Sequence, residues 1–217
     1  CTCSVRPHPR TQHVGTSAAA DVYKRQSNAI PSVTVASHNV RGFCAYGRDG
    51  ARCAAKTSNA TALILKHHLT FFQETNLLDR ENKFFKTFLP KGYSSLHSSR
   101  SKTTAGVAIV ISPHIHTLYD HTLVPLPKSL DGYALCVRFS AKDGSHGFTA
   151  LNIYLDSSGF SARTLQLLAL QEAIPLSPDL IVGGDFNFVE DKYKDTASHS
   201  IHYDTTRAFA SAWTDFK

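Results

Sequence analysis

Asp179-Leu-Ile-Val-Gly-Gly-Asp-Phe-Asn187 is the stretch on which the reading of the whole chain turns. Leu180, Ile181 and Val182 form a short apolar run with β-branched members, which predicts a strand buried on both faces and ended by Gly183 and Gly184. Asp185 and Asn187 follow one residue apart, so an extended backbone would present both side chains on the same side. A carboxylate and a carboxamide at the carboxyl end of a buried strand suit a phosphate ester. The first can hold or deprotonate a water, and the second can donate to a phosphoryl oxygen. The same residue types also favour an Asx turn for purely local reasons, so the segment needs support from upstream.

That support begins at Ser32. Val33 and Val35 alternate with Thr34 and Ala36, a strand signal that runs out in His38, Asn39, Val40, Arg41 and Gly42. Asn39 therefore falls at a strand's carboxyl end, where α/β sheets place ligands, although a turn before Gly42 would also use an Asn. Gly47–Thr57 reads as a basic loop, then Thr57 or Ser58 caps a helix to about His68 with Ala62, Leu65 and Leu69 at helical spacing. Leu69, Phe71 and Phe72 predict a second strand with Glu74 at its end. Glu74 there is either solvated or one of the one or two carboxylates that a magnesium ion needs.

Leu77–Phe88 reads as a helix with Lys83 and Lys86 outward. Ser94–Thr104 mixes hydroxyls with Arg100 and Lys102, the residue types that contact a sugar-phosphate backbone and equally those of an exposed loop. Three more strands are predicted at Gly106–Ser112, Tyr133–Ser140 and Phe148–Tyr154, with Asp143-Gly144 as a hairpin turn between the last two. Tyr154 closes the last of them, where a hydroxyl can reach a phosphate. His114 and His116 flank Ile115 without a third ligand at suitable spacing, which argues against a metal pair. Phe160–Ile174 is the clearest helix, capped by Ser158 or Ser161, lined on one face by Leu165, Leu168, Ala169 and Ala173, and stopped by Pro175.

The 217 residues are enough for one substantial core, and no run approaches the roughly 20 apolar residues of a membrane span. Charge is unevenly spread. Residues 31–102 hold eleven basic and four acidic side chains, whereas residues 103–217 hold eight and twelve, so one half suits a polyanion and the other a cation. Cys1, Cys3, Cys44, Cys53 and Cys136 include no Cys-x-x-Cys pair, which excludes the usual zinc and disulfide frameworks and fits an intracellular compartment. Residues 1–30 show no sustained period, and Ala18–Gln26 resembles translated cloning adaptor, so this leader is set apart as disordered or non-native. Burial of Val22 and Tyr23 would contradict that. Without any methionine, the chain reads as a fragment.

Ser37-His-Asn-Val-Arg-Gly42, Phe72-Gln-Glu-Thr75, Gly106-Val-Ala-Ile-Val110, Asn152-Ile-Tyr154 and Gly183-Gly-Asp-Phe-Asn187 together resemble the endonuclease/exonuclease/phosphatase family, most closely its LINE-type retrotransposon branch. The five motifs fall in the family's order, over roughly residues 32–217. The resemblance implies an α/β (α+β) fold, a four-layered sandwich of two mixed β-sheets with outer helices and with the last strands missing, so that residues 31–217 would be a partial domain. It implies Mg2+ (or Mn2+) bound by Glu74 with support from Asn39, Tyr154 at the scissile phosphate, Asp185 at the attacking water and Asn187 on a phosphoryl oxygen. Arg41, Arg100 and Lys102 would bind nucleic acid, chiefly DNA, with no membrane involved; a reverse transcriptase domain would follow, and the nucleus would be the site of action. One departure stands out. The family's later Asp-His pair has no counterpart, since His199 and His202 come before Trp213 and too early. Reduced or absent activity of this chain is the corresponding expectation, and the rival readings are a non-catalytic nucleic-acid-binding remnant or another phosphodiesterase or phosphatase of the same fold.

Overall fold

The computed structural model describes residues 2–3, 32–43, 50–77, 83–100, 105–174, 179–188 and 207–216. Two mixed sheets are built from nine strands. The first contains β1 (Thr2–Cys3), β2 (Val35–Asn39), β3 (Leu69–Gln73), β4 (Ser94–Ser98) and β5 (Val107–Ile111), in the order β1-β2-β3-β5-β4. The second contains β6 (Tyr119–Val124), β7 (Ala134–Ala141), β8 (Phe148–Tyr154) and β9 (Leu180–Asp185), in chain order. The β2–β3 and β8–β9 pairs are parallel and all others antiparallel. Helices α1 (Gly50–Lys66) and α2 (Lys83–Phe88) lie on the first sheet, α4 (Phe160–Ala173) and α5 (Arg207–Phe216) on the second, and short α3 (Pro113–Leu118) links β5 to β6. The four-layered α/β sandwich predicted from sequence is therefore the fold observed.

Strand alternation explains the layers. Val35 of β2, Leu69 and Phe71 of β3, Val107 and Ile109 of β5, Val137 and Phe139 of β7, and Phe148 and Ala150 of β8 fill the central core between the sheets. Their neighbours Phe72, Ala108 and Val110 face outward against Ala60, Ile64 and Phe85, while Leu151, Ile153 and Val182 face Leu167, Leu170 and Trp213.

Toward the carboxyl ends of β2, β3 and β8 the same inward rows turn polar. Ser37, Gln73 and Asn152 form a bridge between the sheets. The Gln73 Nε2 donates to Asn152 Oδ1 (2.7 Å) and Ser37 Oγ (3.1 Å), and the Asn152 Nδ2 donates to the carbonyls of Phe72 (3.0 Å) and Ala108 (2.9 Å). Asn152 is 0 % exposed, so its removal would leave buried partners without bonds. Asn152→Ala should destabilise the fold by about 3 kcal/mol, read as a lower urea midpoint at unchanged slope. A change below about 1 kcal/mol would show that the bridge is replaceable.

Several elements differ from the sequence reading. Helix α1 starts at Gly50, inside the segment read as a loop, and Thr57 sits within it, its hydroxyl donating to the Cys53 and Ala54 carbonyls. Ala60 and Ile64 are its buried face, and Leu65 is 60 % exposed. In α4 the inward residues are Arg163, Gln166, Leu167 and Leu170, whereas Leu165 and Leu168 face solvent. Its N-cap is Gly159 with no side-chain cap bond. Hydrophobicity misplaced the face of α4 because it assigns polar side chains outward, although a buried Arg or Gln with partners can sit inward. Ser94–Ser98 is an edge strand rather than part of a loop; half-exposed edge positions tolerate serines. Strand β9 runs through Gly183 and Gly184 instead of ending there.

Within the leader, Thr2–Cys3 pair antiparallel with Val35 and Ala36 on the open edge of β2, a main-chain contact that needs no side-chain pattern. Val22 and Tyr23, the helix segment 78–82, the Lys83 and Lys86 side chains, Lys102, His199 and His202 lie outside the described residues. Among those described, no helix is long and apolar enough to cross a membrane.

At the end of the sandwich away from Asn39, the His68 Nδ1 accepts from the Thr34 N–H (3.0 Å), tying the starts of β2 and β3 together, and its ring stacks on His114 at 4.6 Å. The His116 Nε2 meets Ser94 Oγ at 2.8 Å. The His114–His116 pair is thus divided between different partners, and no cluster of three or more His, Cys, Asp or Glu able to hold a metal occurs among the described residues. Burial lowers the pKa of His68, helped by the nearby His114 and His67. A depressed folded-state pKa means stability present above the unfolded value of about 6.5 and lost as pH falls through the folded one. The urea midpoint should therefore drop between about pH 7 and pH 5. His68→Gln should flatten that slope; an identical slope in the variant would remove His68 as its source.

Candidate active site

Inward alternation places Asn39 at the end of β2 and Asp185 at the end of β9, on facing sheets. The Asn39 Nδ2 donates to Glu74 Oε1 (2.8 Å) and to Asp185 Oδ2 (2.7 Å), so two carboxylates 111 positions apart share one amide. The Asn39 Oδ1 accepts from the Arg41 N–H at 2.9 Å, which fixes the amide's orientation. Glu74 needs a different explanation. It follows the inward Gln73 and would point outward in an extended chain, but its φ of 51° places it in the left-handed region. That conformation is disfavoured for a residue with a Cβ, by about 1–2 kcal/mol, and such backbone strain concentrates at functional sites.

Asn187 also has a left-handed backbone, φ 50°. Its N–H donates to Asp185 Oδ1 (3.0 Å) and its Nδ2 to the Leu155 carbonyl (2.6 Å). The turn alternative is thus realised, and this Asx turn brings Asn187 beside Asp185. The Tyr154 hydroxyl lies among Glu74, Ser157 and Asn187, the polar groups that act on its ionisation. Burial raises its pKa, and Glu74 adds to the shift, so it stays a protonated donor at neutral pH. Hydrogen bonds link Glu74, Asn39, Asp185 and Asn187 in a row, and with Tyr154 beside Glu74 and Asn187 the five form one ring of polar side chains at the rim of the sandwich.

Tyr133, Asp156 and Lys56, which sequence reading did not single out, border the site together with Arg100 and Arg41. Tyr133 lies parallel to Tyr154 (6.2 Å between centroids, 2° between planes) and donates to Asp156 Oδ2 at 2.7 Å. Burial, then that bond, pushes its pKa up to about 12. Arg100 sits 5.2 Å from the Tyr133 ring centre, a cation next to the ring of five, and Arg41 is exposed on its other flank. Lys56 holds the Arg41 loop through the carbonyls of Arg41 (2.8 Å) and Gly42 (2.6 Å). Only long-range pairing across a sandwich brings such residues together, which local pattern cannot report.

Two facing mixed sheets thus carry carboxylates, amides and a tyrosine together on one rim. The chain belongs to the Endonuclease/Exonuclease/phosphatase family, whose model matches residues 36–215. Among solved structures it is similar to a family member from Bacteroides thetaiotaomicron (23 % identity, TM-score 0.52, covering 75 % of this chain and 64 % of that one). It is also similar to an AP endonuclease from Leishmania major (18 %, 0.57, 83 % and 64 %). A Bacteroides thetaiotaomicron mannosyl-6-phosphatase is a third (24 %, 0.51, 72 % and 66 %). These likenesses are of fold, and the chain spans less than two thirds of their length. No curated protein matches the sequence.

Proposed function

We propose that this protein hydrolyses phosphodiesters in DNA, as the nicking endonuclease of a LINE-type retrotransposon. The observation that carries the reading is the Asn39 amide bonded to both Glu74 and Asp185, which puts a proton acceptor and a cation-binding carboxylate at one point. In this reading Asp185 takes the proton of a water whose oxygen attacks phosphorus, the bond to the departing sugar oxygen breaks, and solvent supplies that oxygen's proton. Asn187 and Tyr154 donate to the phosphoryl oxygens as charge builds on them. Glu74, with the oxygen of Asn39, would hold Mg2+ or Mn2+; a carboxylate and an amide oxygen suit a hard ion that keeps several waters. Once bound, such an ion supplies Lewis-acid stabilisation of the phosphoryl charge.

The basic balance of residues 31–102 and the positions of Arg41 and Arg100 beside the ring support a polyanionic substrate. The motif resemblance supports the retrotransposon setting, with a reverse transcriptase in the parent protein and action in the nucleus. Supercoiled plasmid incubated with the protein and magnesium should give open circles, at a reduced rate, and EDTA should abolish them. Salt-sensitive retention of plasmid without any nicking would instead make the protein a DNA-binding remnant.

A further inference from the structure

Helix α4 packs its inward face behind β8 and β9, and two polar residues occupy that face three positions apart. Arg163 and Gln166 are each 7 % exposed. The Arg163 Nη1 donates to the carbonyl of Asn187 (2.7 Å) and, more weakly, to that of Asp156 (3.2 Å). Gln166 Oε1 accepts from the Asp156 N–H at 2.8 Å. The same two loops are laced directly, Leu155 N–H to the Asp185 carbonyl (2.9 Å) and Asn187 Nδ2 to the Leu155 carbonyl (2.6 Å). Every connection converges on the backbone that carries Tyr154, Asp185 and Asn187.

We propose that Arg163 is a positioning residue that holds Asn187 in its left-handed conformation, so that the Asn187 amide faces Tyr154 and the reacting phosphate. This rests on the phosphodiesterase reading above. An apolar side chain would fill the same space without the desolvation that burial imposes on a guanidinium, and that burial lowers the Arg163 pKa. What an apolar residue cannot do is donate to two carbonyls at once, as the Arg163 Nη1 does from a planar guanidinium. Asn187 has φ 50° and is reached from behind by Arg163 and from the front by Asp185 and Leu155. With the rear contact gone, the peptide can relax toward an ordinary conformation and swing the amide away.

The test uses the full chain, bis(nitrophenyl) phosphate with magnesium as the probe, and the variants Arg163→Met and Arg163→Lys. Arg163→Met should still unfold cooperatively, lose about 100-fold in kcat with little change in KM, and regain part of that loss when guanidinium is added at sub-denaturing concentration. Arg163→Lys, which keeps the charge but not the fork, should fall between the two. An unchanged kcat in Arg163→Met, or a loss matching only its unfolded fraction with no guanidinium rescue, overturns the proposal. The side-chain amide resonance of Asn187 provides an arm independent of turnover. It should move and exchange faster with water in Arg163→Met, and an unaltered resonance also overturns the proposal. If the unaltered protein cleaves nothing, the phosphodiesterase reading has failed while the Asn187 resonance still decides the role of Arg163.

Discussion

Asp185→Ala should lower the rate of plasmid nicking by at least about 1,000-fold while leaving the protein folded. The substitution removes the acceptor for both the Asn39 Nδ2 and the Asn187 N–H, so the ring opens on two sides. It also removes the carboxylate on the β9 side of the rim to which Asn39 donates. Stability should change by no more than about 1 kcal/mol, because Asp185 is only half-buried and its loss leaves Glu74 without a neighbouring negative charge. The rate is read in single turnover with protein in excess, and the fold by urea titration. A variant retaining a tenth of the activity would take Asp185 out of the chemistry and leave the family fold without the proposed reaction.

The largest effect on stability should come from one methyl group, in Gly184→Ala. A Cβ built at Gly184 lies 1.9 Å from the Ile153 carbonyl oxygen and 2.7 Å from its carbon, on the partner strand of the parallel β8–β9 pair. The backbone there has φ +154°, which L-residues with side chains rarely adopt. Neither atom belongs to a flexible side chain, so relief requires separating the strands that carry Tyr154 and Asp185. A loss of about 4 kcal/mol or more is expected, and with it the site. Gly144→Ala is the matched control. Its φ is +74° but nothing lies within 4 Å of the added carbon, so conformational strain alone, about 1 kcal/mol, should appear. Equal effects at the two positions would mean that strain, rather than contact across the strand pair, sets the cost at Gly184.

Neighbouring Gly183 shows why glycines here do not mark a strand's end. A Cβ at Gly183 would lie 2.9 Å from the Phe71 ring, so the absent side chain makes room for a core phenylalanine of the opposite sheet. Glycine punctuates a sequence when the reason is local; when the reason is a neighbour from the other sheet, the one-dimensional pattern carries no trace of it.

The sequence by itself determined the class of fold, because β2, β3, β5, β7, β8 and β9 are apolar runs whose alternation is dictated by having one face on a core. It also determined the chemistry on offer, since Asn39, Glu74, Tyr154, Asp185 and Asn187 could be picked out as polar residues ending such runs. Strands with a weak apolar face escaped it. Tyr119–Val124 is a sheet edge with Asp120 and Thr122 among its residues, and Ser94–Ser98 is half-exposed throughout. The helical face of α4 was misjudged for the converse reason, that partners supplied by distant loops allow Arg163 and Gln166 to be buried. Only the tertiary structure decided that Glu74 turns inward against strand alternation, that Ser37, Gln73 and Asn152 join the sheets beneath the rim, and that Arg163 stands behind Asn187. Each of these depends on a bond between residues far apart in the chain. Composition and period describe what one segment prefers, whereas the energy of such a bond exists only once packing has brought both ends within reach.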